Sequence, residues 1–151
     1  MSSAFRPFLR AGNREPVVIS YTPASAEDFL AGALVVYNTS TDVIDECGSD
    51  PGSVLGIALA DAAAKTLYAD GKVPVAVLDP DVVVCLASST TPVEGHKYDA
   101  GYGVVKTGNN WLLDISETSA KVFQVIDVDI ANGIFFCRAI ASVLQADQIA
   151  S

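Results

Sequence analysis

Few residues in this 151-residue chain have the types and spacing that chemistry needs. His96, the single histidine, stands in "VEGHKYD" between Glu94 and Asp99, with Ser88 and Ser89 a short way upstream. A serine nucleophile, a histidine base and an orienting carboxylate are the parts of an acyl-transfer site, which makes a small hydrolase one reading. Nothing around those serines has the strand-turn-helix form of a nucleophile elbow, however, and glycine-punctuated loops are ordinary places for an exposed histidine. "GYGVVKTG", residues 101–108, has the look of a phosphate loop but lacks both the G-x-G-x-x-G spacing and a following helix to aim amides at a phosphate. Asp42, Asp45, Glu46 and Asp50 crowd "TDVIDECGSDPG", where calcium would find oxygen ligands, yet the EF-hand order is absent. Cys47, Cys85 and Cys137 are odd in number, far apart and without a CxxC pair, so they give no zinc site. Cys85 in "VVVCLA" and Cys137 in "IFFCRAI" read instead as small buried hydrophobes, and the set fits folding in a reducing compartment. The expectation is a protein that is not an enzyme and holds no cofactor or metal.

Charge separates the chain into two parts. Residues 1–15 carry Arg6, Arg10 and Arg14 against Glu15, a balance of +2, while the whole chain is −9 and residues 16–151 are therefore −11. An acidic body repels phosphate backbones, so nucleic acid is not an expected partner. No apolar run reaches the roughly 18 residues that span a bilayer, and the arginine-bearing N-terminus leads into no apolar signal segment, so no membrane association is expected. The reading is an extended basic arm over 1–15 and one β-rich domain over 16–151. At this length a single core hides roughly 68–70% of the unfolded chain's surface.

Strands account for most of that domain. "PVVISYT" (16–22), "ALVVYNT" (33–39), "SVLGIALA" (53–60), "KVPVAVL" (72–78) and "VVVCLAS" (82–88) are rich in β-branched residues and bounded by turn formers. Gly56 within the third implies a close backbone approach or a bulge. Residues 104–115 read as two short strands about the turn 107–110. In 121–140, Ile126, Val128 and Ile130 alternate with Asp127 and Asp129 before Asn132-Gly133, whose tolerance of positive φ suits a tight hairpin. Between these lie a helical turn capped by Ser25 and ended by Gly32, a surface excursion of one helical turn over 61–71 with Asp61 as N-cap, a loop over 40–53, and a short strand about 97–99. With about eight to ten short strands and no strand-helix alternation, the fold class is all-β, a mainly antiparallel sandwich or barrel with one or two helical turns. The final stretch, residues 142–151, is a second segment that could lie across a neighbour.

One resemblance adds to this. Gly56-Ile57-Ala58-Leu59-Ala60, then Gly71-Lys72-Val73-Pro74-Val75-Ala76-Val77, then Pro80-Asp81-Val82-Val83-Val84, followed by Tyr98-Asp99, Gly101-Tyr102-Gly103 and the 121–140 hairpin, resemble the head decoration, or capsid-stabilising, proteins of tailed bacteriophages over roughly residues 54–140. Val84, with Cys85 beside it, departs from that pattern, which more often has an aromatic there. The resemblance implies a β-tulip-like protein without catalysis, made in the host bacterial cytoplasm. It would sit on the outer surface of the expanded capsid as a homotrimer at local three-fold positions and bind the major capsid protein. Under that reading Phe5, Arg6, Phe8, Arg10 and Arg14 of the arm are the expected capsid contacts, phenylalanine for apolar anchoring and arginine for charge pairing. Three arms on one trimer would act together through effective concentration. A competing reading is a carbohydrate- or receptor-binding β-sandwich with Tyr98, Tyr102 and Trp111 as a stacking platform.

Overall fold

A computed structural model describes residues 8–10, 16–88, 90–99 and 101–145 of the chain. Among them are eleven strands: β1 (Phe8–Arg10), β2 (Val17–Tyr21), β3 (Leu34–Asn38), β4 (Val43–Glu46), β5 (Gly56–Ala58), β6 (Val73–Val77), β7 (Val83–Ala87), β8 (Gly103–Thr107), β9 (Asn110–Asp114), β10 (Phe123–Asp129) and β11 (Ile134–Ala139). They form a four-stranded sheet in the order β1-β7-β11-β10, a five-stranded sheet in the order β2-β6-β5-β3-β4, and the hairpin β8-β9. Every strand pairing in these sheets is antiparallel. The fold is all-β, as the strand pattern predicts, and it contains no closed barrel.

Two consecutive strands tie the sheets together. β6 lies in the five-stranded sheet and β7 in the four-stranded one, and both carry the N-terminal segment along their edge: Val17 to Tyr21 run opposite Val77 to Val73, and Phe8 to Arg10 opposite Cys85 to Val83. The register barely changes between the two pairings. Residues 8–10 and 17–21 therefore run antiparallel to 83–85 and 73–77 in turn, along a stretch, 73–87, that crosses from sheet to sheet. The five-stranded sheet also curls until its ends nearly meet. Pro23 bridges Ile44, whose N–H donates to the Thr22 carbonyl, and the Tyr21 and Tyr37 rings pack with centroids 5.6 Å apart.

The core between the sheets is built from Phe29, Leu34, Ile44, Ile57, Leu86, Leu113, Phe123, Phe135 and their neighbours, with Trp111 fully enclosed. Trp111 Nε1–H donates to the Cys47 carbonyl at 3.3 Å, fixing the β8-β9 hairpin to the loop after β4. Asp50 N–H to the Val104 carbonyl and Lys106 N–H to Ser49 Oγ strap the same loop to β8. The expected close approach at Gly56 is present: a Cβ there would run into the Ala76 carbonyl of the adjoining strand. Val83 to Ala87 are all buried, which explains why β7 is continuously apolar rather than alternating.

Several local expectations are corrected. The segment after Ser25 makes turns and no helix. Asp61 does not cap the 3₁₀ helix Ala62–Leu67; its carboxylate accepts from Ala31 N–H instead. The 40–53 stretch is not all loop, since it contains β4, where Ile44 alone is buried among the partly exposed Val43, Asp45 and Glu46. Residues 97–99 are not a strand but follow the 3₁₀ helix Glu94–His96. In the last hairpin a bulge between Val125 and Asp127 resets the alternation, so Phe123, Val125 and Val128 are the residues packed on the core and Ile130 is 47% exposed. Its connection is four residues long, and only Gly133 takes positive φ, while Asn132 bonds the Asp129 carboxylate. The part of the C-terminal stretch that is described lies on the chain itself: Leu144 is buried, and the Gln145 amide exchanges two hydrogen bonds with the Tyr37 backbone. Residues 146–151 lie outside the described residues.

Two outcomes follow for stability. Gly56→Ala is expected to cost about 3 kcal/mol in urea unfolding, because the new methyl meets backbone that belongs to a central strand. Burial pushes the Cys47 thiol from 9.0 up to about 12, and burial raises the Cys137 thiol and, to a lesser degree, the Tyr21 and Tyr102 hydroxyls. Folded groups thus hold protons that the unfolded chain releases, so stability is full below about pH 9 and falls as pH rises toward about 12. Thermal midpoints across that range measure the slope, and Cys47→Ala should flatten it. None of the three buried cysteines is in a disulfide, and alkylation by iodoacetamide should require unfolding.

Candidate binding surface

The arm residues expected to make contacts fall in two groups. Phe5, Arg6 and Arg14 lie outside the described residues, whereas Phe8 and Arg10 are the ends of β1, the edge strand of the first sheet. At Phe8–Arg10 the chain meets the body as backbone ladder along β7, and β2, the edge strand of the second sheet, does so along β6. On β2, Val17, Val18 and Ile19 are 49%, 54% and 45% exposed. Three consecutive aliphatic residues point to alternate faces of a strand, so both faces of this edge are uncovered. Leu59, across β6 from β2, is also exposed, as are Leu67 and Tyr68 of the excursion that packs on β6. Proteins usually blunt such an edge with lysine, proline or a covering element, and an apolar one left open marks an interaction surface.

The residues singled out for catalysis are engaged elsewhere. His96 Nδ1 accepts from Val93 N–H at 3.1 Å, and its ring packs against Tyr102 and Phe135. Ser88 Oγ donates to the Leu113 carbonyl, Asp99 accepts from the Tyr102 hydroxyl, and Glu94 pairs with Lys97 at 2.6 Å. Ser89 lies outside the described residues. The stacking platform does not form either. Trp111 is 0% and Tyr102 6% exposed, leaving only Tyr98 on the surface.

The acidic loop is spread rather than convergent. Asp42 accepts from the Tyr37 hydroxyl, Glu46 pairs with Lys106 at 2.7 Å, and Asp50 turns toward Glu117. Among the described residues no three His, Cys, Asp or Glu side chains come together as a metal site. Burial, with the nearby Glu117 charge as a lesser cause, raises the Asp50 carboxyl. These two side chains also flank Gly103, so the glycine-rich stretch 101–108 meets carboxylates where a phosphate would need donors.

A further feature arises only in the folded chain. A groove of about 700 Å³ opens where β10 begins and β11 ends, bordered by the turns at Pro51 and Pro80, by residues 119–121 and by the 3₁₀ helix Ala141–Val143. Arg138 and Lys121 line it, with Asp81 as its single acidic lining residue. Arg138 Nε is buried and has no hydrogen-bond acceptor. The sequence signal was an arginine inside the otherwise apolar strand "IFFCRAI", a position where a charge needs a reason.

No known protein family, curated protein or solved structure matches the chain. The enclosure of Trp111, the single tryptophan, has a direct readout: its fluorescence should be shielded from iodide and unmoved by saturating oligosaccharides. A saccharide-dependent shift would restore the platform.

Proposed function

We propose that this is a structural attachment protein, a decoration protein of a tailed-bacteriophage head. It binds the major capsid protein on the outer surface of the expanded capsid as a homotrimer at local three-fold positions, and it stabilises the shell. The observation that carries the reading is a coincidence of place. The three resembling segments, 56–60, 71–77 and 80–84, fall on β5, β6 and β7. These include the two strands along which the N-terminal segment is laid. β1, with Phe8 and Arg10 of the basic arm, and the uncovered apolar edge of β2 thus lie along two consecutive strands, and on this reading both are contact surface for the shell protein.

Each part of that surface has a matching role. Phe5 and Phe8 anchor by apolar burial and Arg6, Arg10 and Arg14 pair with carboxylates of the shell, while Val17, Val18 and Ile19 extend the contact along the strand. An edge with open backbone groups also accepts a strand of the partner by β-augmentation. With three arms per assembly, modest affinity at each becomes firm attachment.

Cosedimentation with compact and with expanded shells tests this. Saturable binding that prefers expanded shells, near one trimer per local three-fold, is the expected result, and no binding to either form would discard the reading. Val18→Lys should leave stability within about 0.5 kcal/mol, because the side chain is half exposed and faces away from the core, yet weaken shell binding about tenfold. The Phe5→Ala, Arg6→Glu double variant should do the same. Parent-like binding of both variants would remove the arm and edge from the contact.

A further inference from the structure

The groove where β10 begins and β11 ends has a chemistry of its own. Beyond the arm the chain has only six cations, Lys65, Lys72, Lys97, Lys106, Lys121 and Arg138, in a stretch whose net charge is −11. Lys97 and Lys106 are paired with Glu94 and Glu46, and Lys72 is on open surface. Arg138 and Lys121 line one cavity, and neither makes an ion pair or side-chain hydrogen bond among the described residues. Arg138 is held between Gln124 on β10 and Val83 on β7, its Cα partners on the two neighbouring strands. Gln124 is itself fixed by its amide, which donates to the Asp99 carbonyl. The guanidinium thus stands on a rigid three-strand platform with Nε buried and without an acceptor.

An unmet buried donor on a charged group is costly, and native proteins seldom leave one unanswered. A guanidinium presents Nε–H and one Nη–H as a side-on fork that matches a carboxylate in two parallel hydrogen bonds. Lys121 adds a second positive charge at the same cavity. The lining also includes Pro51, Pro80, Ala139, Ile140 and Val143, which suit a short aliphatic stem. A phosphate dianion would meet Asp81 and the field of the acidic body twice over, whereas a single carboxylate on a slim stem meets both demands of the cavity.

We propose that the groove lined by Arg138 and Lys121 is a carboxylate site, occupied by an Asp or Glu side chain that the capsid protein presents. The carboxylate chemistry stands on the groove alone; the identity of the presenter rests on the attachment reading above. On this basis the protein has two contact regions. The arm contributes cations that reach out to carboxylates, and the groove accepts a carboxylate that reaches in.

The test has two arms. The full-length ¹⁵N-labelled protein is titrated at constant ionic strength with acetyl-Ala-Glu-Ala-amide and, separately, with acetyl-Ala-Gln-Ala-amide and with acetate. The glutamate peptide should shift the Arg138 Nε–H resonance and the 139–143 amides saturably, and the glutamine peptide should not. Absent shifts, or equal shifts from the glutamine peptide, overturn the site, and acetate binding as tightly as the glutamate peptide overturns a protein side chain as its occupant. Arg138→Gln should abolish the response. Lys121→Gln, at a position outside both sheets, should weaken it about fivefold with the thermal midpoint unchanged, which keeps the test decisive if the arginine variant folds poorly. In the second arm the same variants are cosedimented with expanded shells. A tenfold loss of shell affinity is expected for Arg138→Gln, and parent-like binding would overturn the capsid protein as presenter. Should the parent protein itself fail to sediment, the attachment reading falls, and the peptide titration decides the carboxylate site by itself.

Discussion

Residues 73–87 run through both sheets, and the rest of the structure depends on that crossing. β6 is paired on both sides, by β2 and β5, and β7 likewise by β1 and β11. Buried backbone polar groups must be paired, so a segment enclosed between two neighbours in each of two sheets fixes where all four of those neighbours run. It also fixes their composition. Val73, Val75 and Ala76 on β6 and all five residues of β7 are buried, which leaves no room for an alternating polar face. β1 and β2 inherit their places as edge strands from this crossing.

Two smaller ties hold the remaining pieces to that frame. The β8-β9 hairpin would be marginal in isolation, since two strands alone seldom persist in water. It is secured by burying Trp111, by the indole bond to Cys47, and by a bridge from Leu113 to Ser88 at the end of β7. The hairpin therefore touches elements of both sheets. Gln145 supplies the other tie: its amide satisfies both the N–H and the carbonyl of Tyr37, completing a row of backbone groups on β3 that another strand would otherwise cover. A neutral side-chain amide can replace a strand at one residue because it carries the same donor and acceptor as a peptide group.

The strands of the middle and the end of the chain were legible because their apolar residues say the same thing as their neighbours. The runs of valine at 73–77 and 82–87, Gly56 upstream of them, and the turn about Gly108 all specify the structure they form. What was not legible depended on partners distant in sequence. β4 is short and has one buried residue, so its composition looks like a loop until β3 lies alongside. Phe8–Arg10 become a strand only because β7 offers an open edge. The bulge at Ile126 shifts a perfect alternation by one residue, and no local residue type announces it. The groove belongs to the same class. Arg138 and Lys121 are separated by an entire hairpin in sequence, and their common cavity arises only when β10 and β11 meet the turns at Pro51 and Pro80. The arm residues were legible as charge and aromatic content, and what they touch beyond the chain is not written in either.

The distribution of charge sets how such a protein can approach a partner. With −11 on the body, any acidic surface is repelled at distances within a Debye length, about 8 Å at physiological salt. Attraction has to be local, and the cations are placed accordingly. Three arginines fall within residues 1–15, apart from the −11 of the body, and Arg138 lies in a recess where the dielectric is low and a single carboxylate counts for more than on open surface. Apolar contact along Val17 to Ile19 is indifferent to salt, whereas both the body's repulsion and the arm's attraction are screened by it. Raising ionic strength therefore removes opposing contributions together, and the apolar edge and the recessed guanidinium are left to determine how long a contact lasts. On the attachment reading proposed above, an acidic body would serve selectivity by keeping the protein off any surface that fails to satisfy the arm, the edge and the groove at once.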